Sequence, residues 1–140
     1  MNTSIEDATT LTLDFAKLSR VAEIAQGCIP VAVQDADSKA VILVGYTNEE
    51  AMRIAFAERA LVLWSTSRGK LWRKGAASGH AFELLEAYVN CEQNSLLYIV
   101  RAKIEGGGIC HTVAADGKTR KTCYYRKIDF DTLELSIREF

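Results

Sequence analysis

The sequence lacks most of the features that announce a function at once. Its formal net charge is −1, from 17 Lys and Arg against 18 Asp and Glu. No global field therefore favours nucleic acid or a membrane surface, and any anion site must be local. No apolar run approaches the ~20 residues that a membrane span needs. The first residues, MNTSIEDATT, are polar and acidic and hold no apolar segment of the signal-peptide kind. These absences predict a cytoplasmic protein with neither nucleic acid nor membrane as partner. Cytosolic thiols stay reduced, so the four cysteines are not expected to form a disulfide framework. They are structural, reactive or metal-binding. There is no CxxC, no HExxH, no internal repeat and no low-complexity segment.

What remains is ordinary globular material. With 140 residues, 49% of them hydrophobic and 25% charged, the chain suits one domain, residues 1–140, with a modest core. Residues 1–13 read as a flexible lead and 127–140 as a tail, either a short strand or an appended helix. From Asp14, the spacing of Phe15, Leu18, Val21, Ala22 and Ala25 predicts a helix, with Asp14 as cap and Gly27 as stop. Residues 29–34 and 40–46 predict a hairpin. Thr47 followed by Glu50 has the form of a capping box, which predicts a helix to about Arg59 with Met52, Ala55 and Phe56 facing inward. Residues 61–65, 82–91 and 95–104 read as further strands. The sum is an α+β fold, mostly antiparallel strands with two helices.

The densest stretch is 64–80, WSTSRGKLWRKGAASGH. Trp64 and Trp72 frame Arg68, Lys70, Arg73 and Lys74, and His80 closes the run. Arg offers a planar fork of donors, Lys a point charge, and Gly close backbone approach, which together suit a phosphate-bearing ligand. A bare charge cluster of this kind is more often a solvated basic hairpin.

Cys91, Cys110 and Cys123 lie in or beside turns, with His111 next to Cys110. Three thiolates and an open position suit catalytic zinc, which lowers the pKa of bound water to about 7. Cytosolic cysteines are also often small buried hydrophobes, and spacing alone does not choose between the two. Cys28, beside an apolar strand, reads as core. His80 is either a satisfied surface residue or, beside such a metal, a general acid or base.

Together these motifs resemble those of the phosphoribosyl-AMP cyclohydrolases of histidine biosynthesis. That family carries a run close to WSRSRxxLWxKGExSGH, and this chain has WSTSRGKLWRKGAASGH. VAVQDAD and LVGYTNEEAM are similar to its AQD turn and its AYMNEEAL helix start. NCEQNSLL stands for its DCDxDxLL, and ICHTVAADGKTRKTCYYR for its CHTGxxSCFYR. The likeness runs from about Ile29 to Arg126, in order.

The resemblance implies a zinc hydrolase that opens the adenine ring of phosphoribosyl-AMP at the N1–C6 bond. It implies an intertwined homodimer, with zinc held by Cys91, Cys110 and Cys123 drawn from both subunits. His80 and His111 become the catalytic histidines. Trp64, Ser65, Ser67, Arg68, Trp72, Arg73, Lys74, Ser78 and Gly79 become part of the substrate pocket. The family's magnesium aspartates correspond to Asn90, Glu92 and Asn94, which predicts a weak or missing magnesium site. Ala76 and Ala77 replace a carboxylate and a hydroxyl, and Thr66 an arginine. Twelve residues separate Cys110 from Cys123, about twice the family spacing, including the turn signal Asp116-Gly117-Lys118. Three readings follow: the family reaction, a paralogue hydrolysing another nucleotide-like or cyclic amidine substrate, and a non-catalytic zinc or nucleotide-binding protein.

Overall fold

The computed structural model describes residues 5–22, 27–75, 79–104, 107–109 and 114–138. Its centre is β1 (Ile29–Asp35), which pairs antiparallel with β2 (Val41–Thr47) and parallel with β6 (Leu96–Ala102). Alternation explains the placement: Val31 and Val33 are fully buried, while Ala32 and Gln34 face the other way. The turn between β1 and β2 is held by Asp35, whose Oδ2 accepts the N–H of Ser38 at 2.7 Å.

The strands β3 (Val62–Ser65), β4 (Lys70–Arg73) and β5 (Phe82–Val89) complete a six-stranded sheet of order β4-β3-β2-β1-β6-β5. β1 with β6 is its one parallel pair. The sheet curls until its flanks meet. Leu61 N–H donates to Phe82 O at 3.1 Å, and Leu84 N–H to Arg59 O at 2.9 Å. The enclosed core holds Val31, Val33, Leu61, Leu63, Tyr98 and Val100. Each such buried side chain contributes about 1.5–3 kcal/mol from apolar transfer.

Two helices accompany the sheet, as the sequence predicts, though both depart in detail. The first, α1 (Lys17–Val21), begins two residues after the start that its apolar spacing implies, and Ala25 of that spacing lies outside the described residues. Asp14 instead accepts from the Arg20 guanidinium, at 3.1 Å from Nη1. Only Val21 is buried, while Phe15 and Leu18 are exposed, so the helix covers little core. The second, α2 (Glu49–Glu58), starts one residue later than a Thr47 cap requires. Asn48 is the cap, its Oδ1 accepting Ala51 N–H at 2.9 Å, a contact worth about 1 kcal/mol. Thr47 is buried. Ala51 and Ala55 are the fully buried positions, with Met52 and Phe56 half-buried against the core. Small residues on that face let the helix approach β3 closely. Cys28 is half-buried rather than core, and burial pushes its thiol pKa up.

The tail forms a hairpin of β7 (Arg126–Ile128) and β8 (Leu135–Ile137). The N-terminal segment lies along it. Thr10 bridges Glu134, the Tyr125 hydroxyl donates to Glu6 O at 2.7 Å, and Arg126 donates to Ala8 O at 2.9 Å.

Candidate active site

The run 64–80 begins as a hairpin. Leu63 pairs with Trp72 and Trp64 with Leu71; Val62 and Leu63 are buried in the core, Leu71 and Trp72 pack half-buried against it, and Trp64 is half-buried. Gly69 closes the turn at φ 63, with its N–H donating to Ser65 O at 2.8 Å. The Ser65 and Ser67 hydroxyls lie 3.3 Å apart, and Arg68 is exposed at the tip. Arg73 is engaged: its Nη1 donates to Glu58 of α2 at 2.7 Å. The Arg73 guanidinium holds the Glu58 carboxyl below its usual pKa. Both partners are about half exposed, so solvent screens the pair and it positions the strand end more than it stabilises the fold. Lys74 N–H donates to Leu61 O at 3.1 Å, fixing the end of the hairpin. Ser78 lies outside the described residues.

Gly75 and Gly79 then aim His80. Gly75 has φ 91, and a Cβ there would sit 2.4 Å from Ala81 N, so no other residue fits. Gly79 (φ 78) donates its N–H to Gly75 O at 2.9 Å. His80 follows, and its Nδ1 accepts the Gly108 N–H at 3.3 Å. With Nδ1 as acceptor, the neutral imidazole carries its proton on Nε2. Gly108 is buried, and a Cβ on it would meet Arg120 O at 2.5 Å. The backbone of the long connection before Cys123 is therefore packed directly behind the residue that orients His80.

Cys123 belongs to the same end. It is half-buried, and its N–H donates to Ile42 O at 2.9 Å. The neighbouring Thr122 hydroxyl contacts Val41 O at 3.2 Å. A cavity of about 830 Å³ has Ile42, Phe82, Gly107 and Thr122 among its walls, but neither His80 nor Cys123 lines it. None of the hairpin residues 64–74 lines it. Cys110 and His111 lie outside the described residues.

Cys91 is elsewhere. It sits two residues after β5 ends, whereas His80 sits two residues before β5 begins. An eight-residue strand spans about 26 Å, so the two occupy opposite ends of the fold. Cys91 is exposed in a turn whose neighbours bind one another. Asn90 Oδ1 accepts the N–H groups of Asn94 and Ser95, both at 2.9 Å. Asn90 Nδ2 donates to Asn94 Oδ1 at 2.7 Å, and Asn94 Nδ2 to Glu92 Oε2 at 3.3 Å.

These contacts test the expected metals. Magnesium needs oxygen ligands, preferably charged. The Asn90–Asn94 turn offers one carboxylate, and its amides already satisfy each other and Glu92, so the residues do not fit that ion. Cys91 and Cys123 bring thiolates, the donors zinc takes at ~2.3 Å, but not to one point within one chain. Among the described residues no three His, Cys, Asp or Glu side chains gather as a metal site. Thiolates are donors that zinc accepts, and the third cysteine of the expected set, Cys110, lies outside the described residues.

The arrangement is that of a small α+β enzyme, with a histidine oriented by Gly108 and a half-buried thiol at Cys123. Residues 43–125 match the family model described as phosphoribosyl-AMP cyclohydrolase. A phosphoribosyl-AMP cyclohydrolase of Methylococcus capsulatus is 38% identical over 111 residues, covering 79% of this chain and 80% of the relative. One of Archaeoglobus fulgidus is 37% identical over 106 residues, covering 76% and 90%. One of Nitrosospira multiformis is 37% identical over 114 residues, covering 81% and 82%. The chain belongs to the phosphoribosyl-AMP cyclohydrolase family, a family of hydrolases. Among the described residues no helix is long and apolar enough to cross a membrane.

Proposed function

We propose that the protein is a zinc-dependent homodimeric hydrolase that opens the adenine ring of phosphoribosyl-AMP at N1–C6, a step of histidine biosynthesis. The carrying observation is the oriented His80, held through Nδ1 by Gly108, in a chain of this family. Cys110 and Cys123 of one copy and Cys91 of the other would hold the ion. Zinc, when bound, supplies activated water at neutral pH. His80 does the proton work at Nε2, handing a proton toward the ring nitrogen as the bond opens. The glycine-fixed backbone keeps that ring in one orientation, so little reorganisation is needed during the reaction. His111 is the second histidine of the reading. Trp64, Ser65, Ser67, Arg68, Trp72 and Lys74 provide a polar and aromatic edge for the nucleotide, and Arg73 braces it through Glu58. The mutual hydrogen bonds of Asn90 and Asn94 support a reaction that runs without magnesium.

The twelve-residue connection between Cys110 and Cys123 favours a second reading, a paralogue hydrolysing another nucleotide-like substrate on the same site. One assay separates the two. The zinc-loaded protein is given phosphoribosyl-AMP with and without magnesium, and ring opening is followed by absorbance. Equal turnover in both supports the first reading. No turnover with stoichiometric zinc bound selects the second, and an intact fold that binds no zinc sinks both.

A further inference from the structure

The cavity lined by Phe82, Gly107 and Thr122 has a wall that the hydrolase motifs do not account for. Residues 114–121 form it from one side and the end of β8 from the other. The first part is a tight turn: Gly117 N–H donates to Ala114 O at 2.9 Å, Lys118 N–H to Asp116 Oδ1 at 3.0 Å, and Ala114 N–H to Lys118 O at 2.8 Å. The second part is pinned where Gly108 leaves no room for a side chain against Arg120 O. This segment is thus a built wall, tied to the backbone group that orients His80.

Its chemistry is one-sided. The cavity is lined by five basic side chains and three acidic ones, in a chain whose net charge is −1. One of the five, Arg101, is neutralised by Asp37 at 2.9 Å. Arg120 lies 3.9 Å over the Tyr125 ring. Lys118 and Lys121 are exposed at the cavity, and among the described residues neither has an acidic partner. The floor is apolar, with Ile42, Phe82, Ala102 and Ile137. An apolar floor under a cationic rim suits a flat base carrying a phosphate, and 830 Å³ lies within the usual range for such ligands. The basic hairpin 64–74 stands outside this cavity, with Arg73 already committed to Glu58. A substrate with phosphates at both ends needs cations at a second place.

We propose that Lys118 and Lys121 form a phosphate-holding rim, which binds one phosphate of a nucleotide whose base lies on the apolar floor, against the wall at Gly107 that adjoins the residue orienting His80. The proposal rests on the nucleotide-hydrolase reading above and deepens it. It makes the long connection a determinant of specificity rather than a surface loop.

Calorimetry on the full-length, zinc-loaded protein tests it with AMP and adenosine as probes. In the K118A/K121A variant, the Kd for AMP rises tenfold or more and that for adenosine stays within twofold. K118R/K121R restores AMP binding to within threefold of the wild type. A rise below threefold overturns the proposal. So does an equal loss for adenosine, which would mean that the lysines only shape the loop. Wild-type protein that binds AMP no tighter than adenosine overturns it as well. Turnover of phosphoribosyl-AMP on the same preparations separates the two claims. A wild type that discriminates AMP through these lysines yet never opens the ring sinks the cyclohydrolase reading alone. Turnover with an unaltered KM in K118A/K121A sinks the rim alone.

Discussion

The two ends of β5 are built on opposite principles. At the Cys91 end, the polar side chains consume each other's hydrogen-bonding capacity, leaving an exposed thiol on a self-sufficient turn. At the His80 end, glycines press backbone against backbone, and a backbone N–H rather than a side chain orients the imidazole. One end is held by side chains bonding one another, the other by close backbone packing. The two ends lie about a strand's length apart in one chain, so the proposed zinc site needs a second copy to bring Cys91 to Cys123.

Breaking that division gives the largest expected effects. Cys91→Ser and Cys123→Ser should each lose zinc and at least about a hundredfold in activity. Mixed dimers of the two variants should regain one intact site in two, so activity returns on mixing after subunit exchange. No recovery on mixing, with mixed dimers present by mass spectrometry, would show that the ligands come from one chain.

Gly108→Ala attacks the His80 end alone. The added methyl meets backbone at 2.5 Å, so the 119–120 segment must shift. A loss of about 1–3 kcal/mol in thermal stability and roughly tenfold or more in kcat should follow. An unchanged kcat would mean that the Gly108–His80 contact does not set the histidine.

The Cys91 end can be converted instead of broken. Asn90→Asp with Asn94→Asp removes the amide that links the two side chains and sets carboxylates together. The melting temperature without magnesium should fall, by about 1–2 kcal/mol of stability, and millimolar magnesium should restore it. The wild type should not respond. A magnesium-dependent shift in wild-type melting would contradict the amide account.

The smallest effect concerns the scaffold between the ends. Tyr98 is wholly buried, its hydroxyl making no hydrogen bond of good geometry. Burial pushes its pKa up to about 12, with Thr47 pulling slightly down. The folded protein thus disfavours the phenolate. Stability from this residue is whole below the ordinary value of 10 and is lost as pH rises from there towards 12. Tyr98→Phe should lie within about 1 kcal/mol of the wild type at pH 7 and should resist alkali better. Denaturant titrations at pH 8 and 11 measure the difference.

Much of the scaffold was legible in the sequence because its signals are local. Alternation in 29–34 and the turn residues 35–39 gave the first hairpin, and the apolar runs at 82–91 and 95–104 gave β5 and β6 within two residues or so. The helix cap was misplaced by one residue because Thr47 and Asn48 are both good caps. Only the sheet decides that Thr47 is spent in the core. The apolar spacing around Leu18 suggested a core-facing helix, but Phe15 and Leu18 are exposed; spacing says nothing about whether a core lies opposite. At the site, residue identities were legible and their grouping was not. Nothing in the sequence says that Arg73 reaches Glu58, or that Asn90 and Asn94 hold each other. The cationic rim had one signal, the long interval between Cys110 and Cys123, and its position became meaningful only through the packing at Gly108.

The bridge between Thr10 and Glu134 joins the chain nearly end to end. Such a contact closes almost the largest loop the sequence allows, and it rests on a few hydrogen bonds at the surface rather than on the core. In hydrogen exchange, the amides of Leu11 and Leu135 should open well before those of β1 and β6.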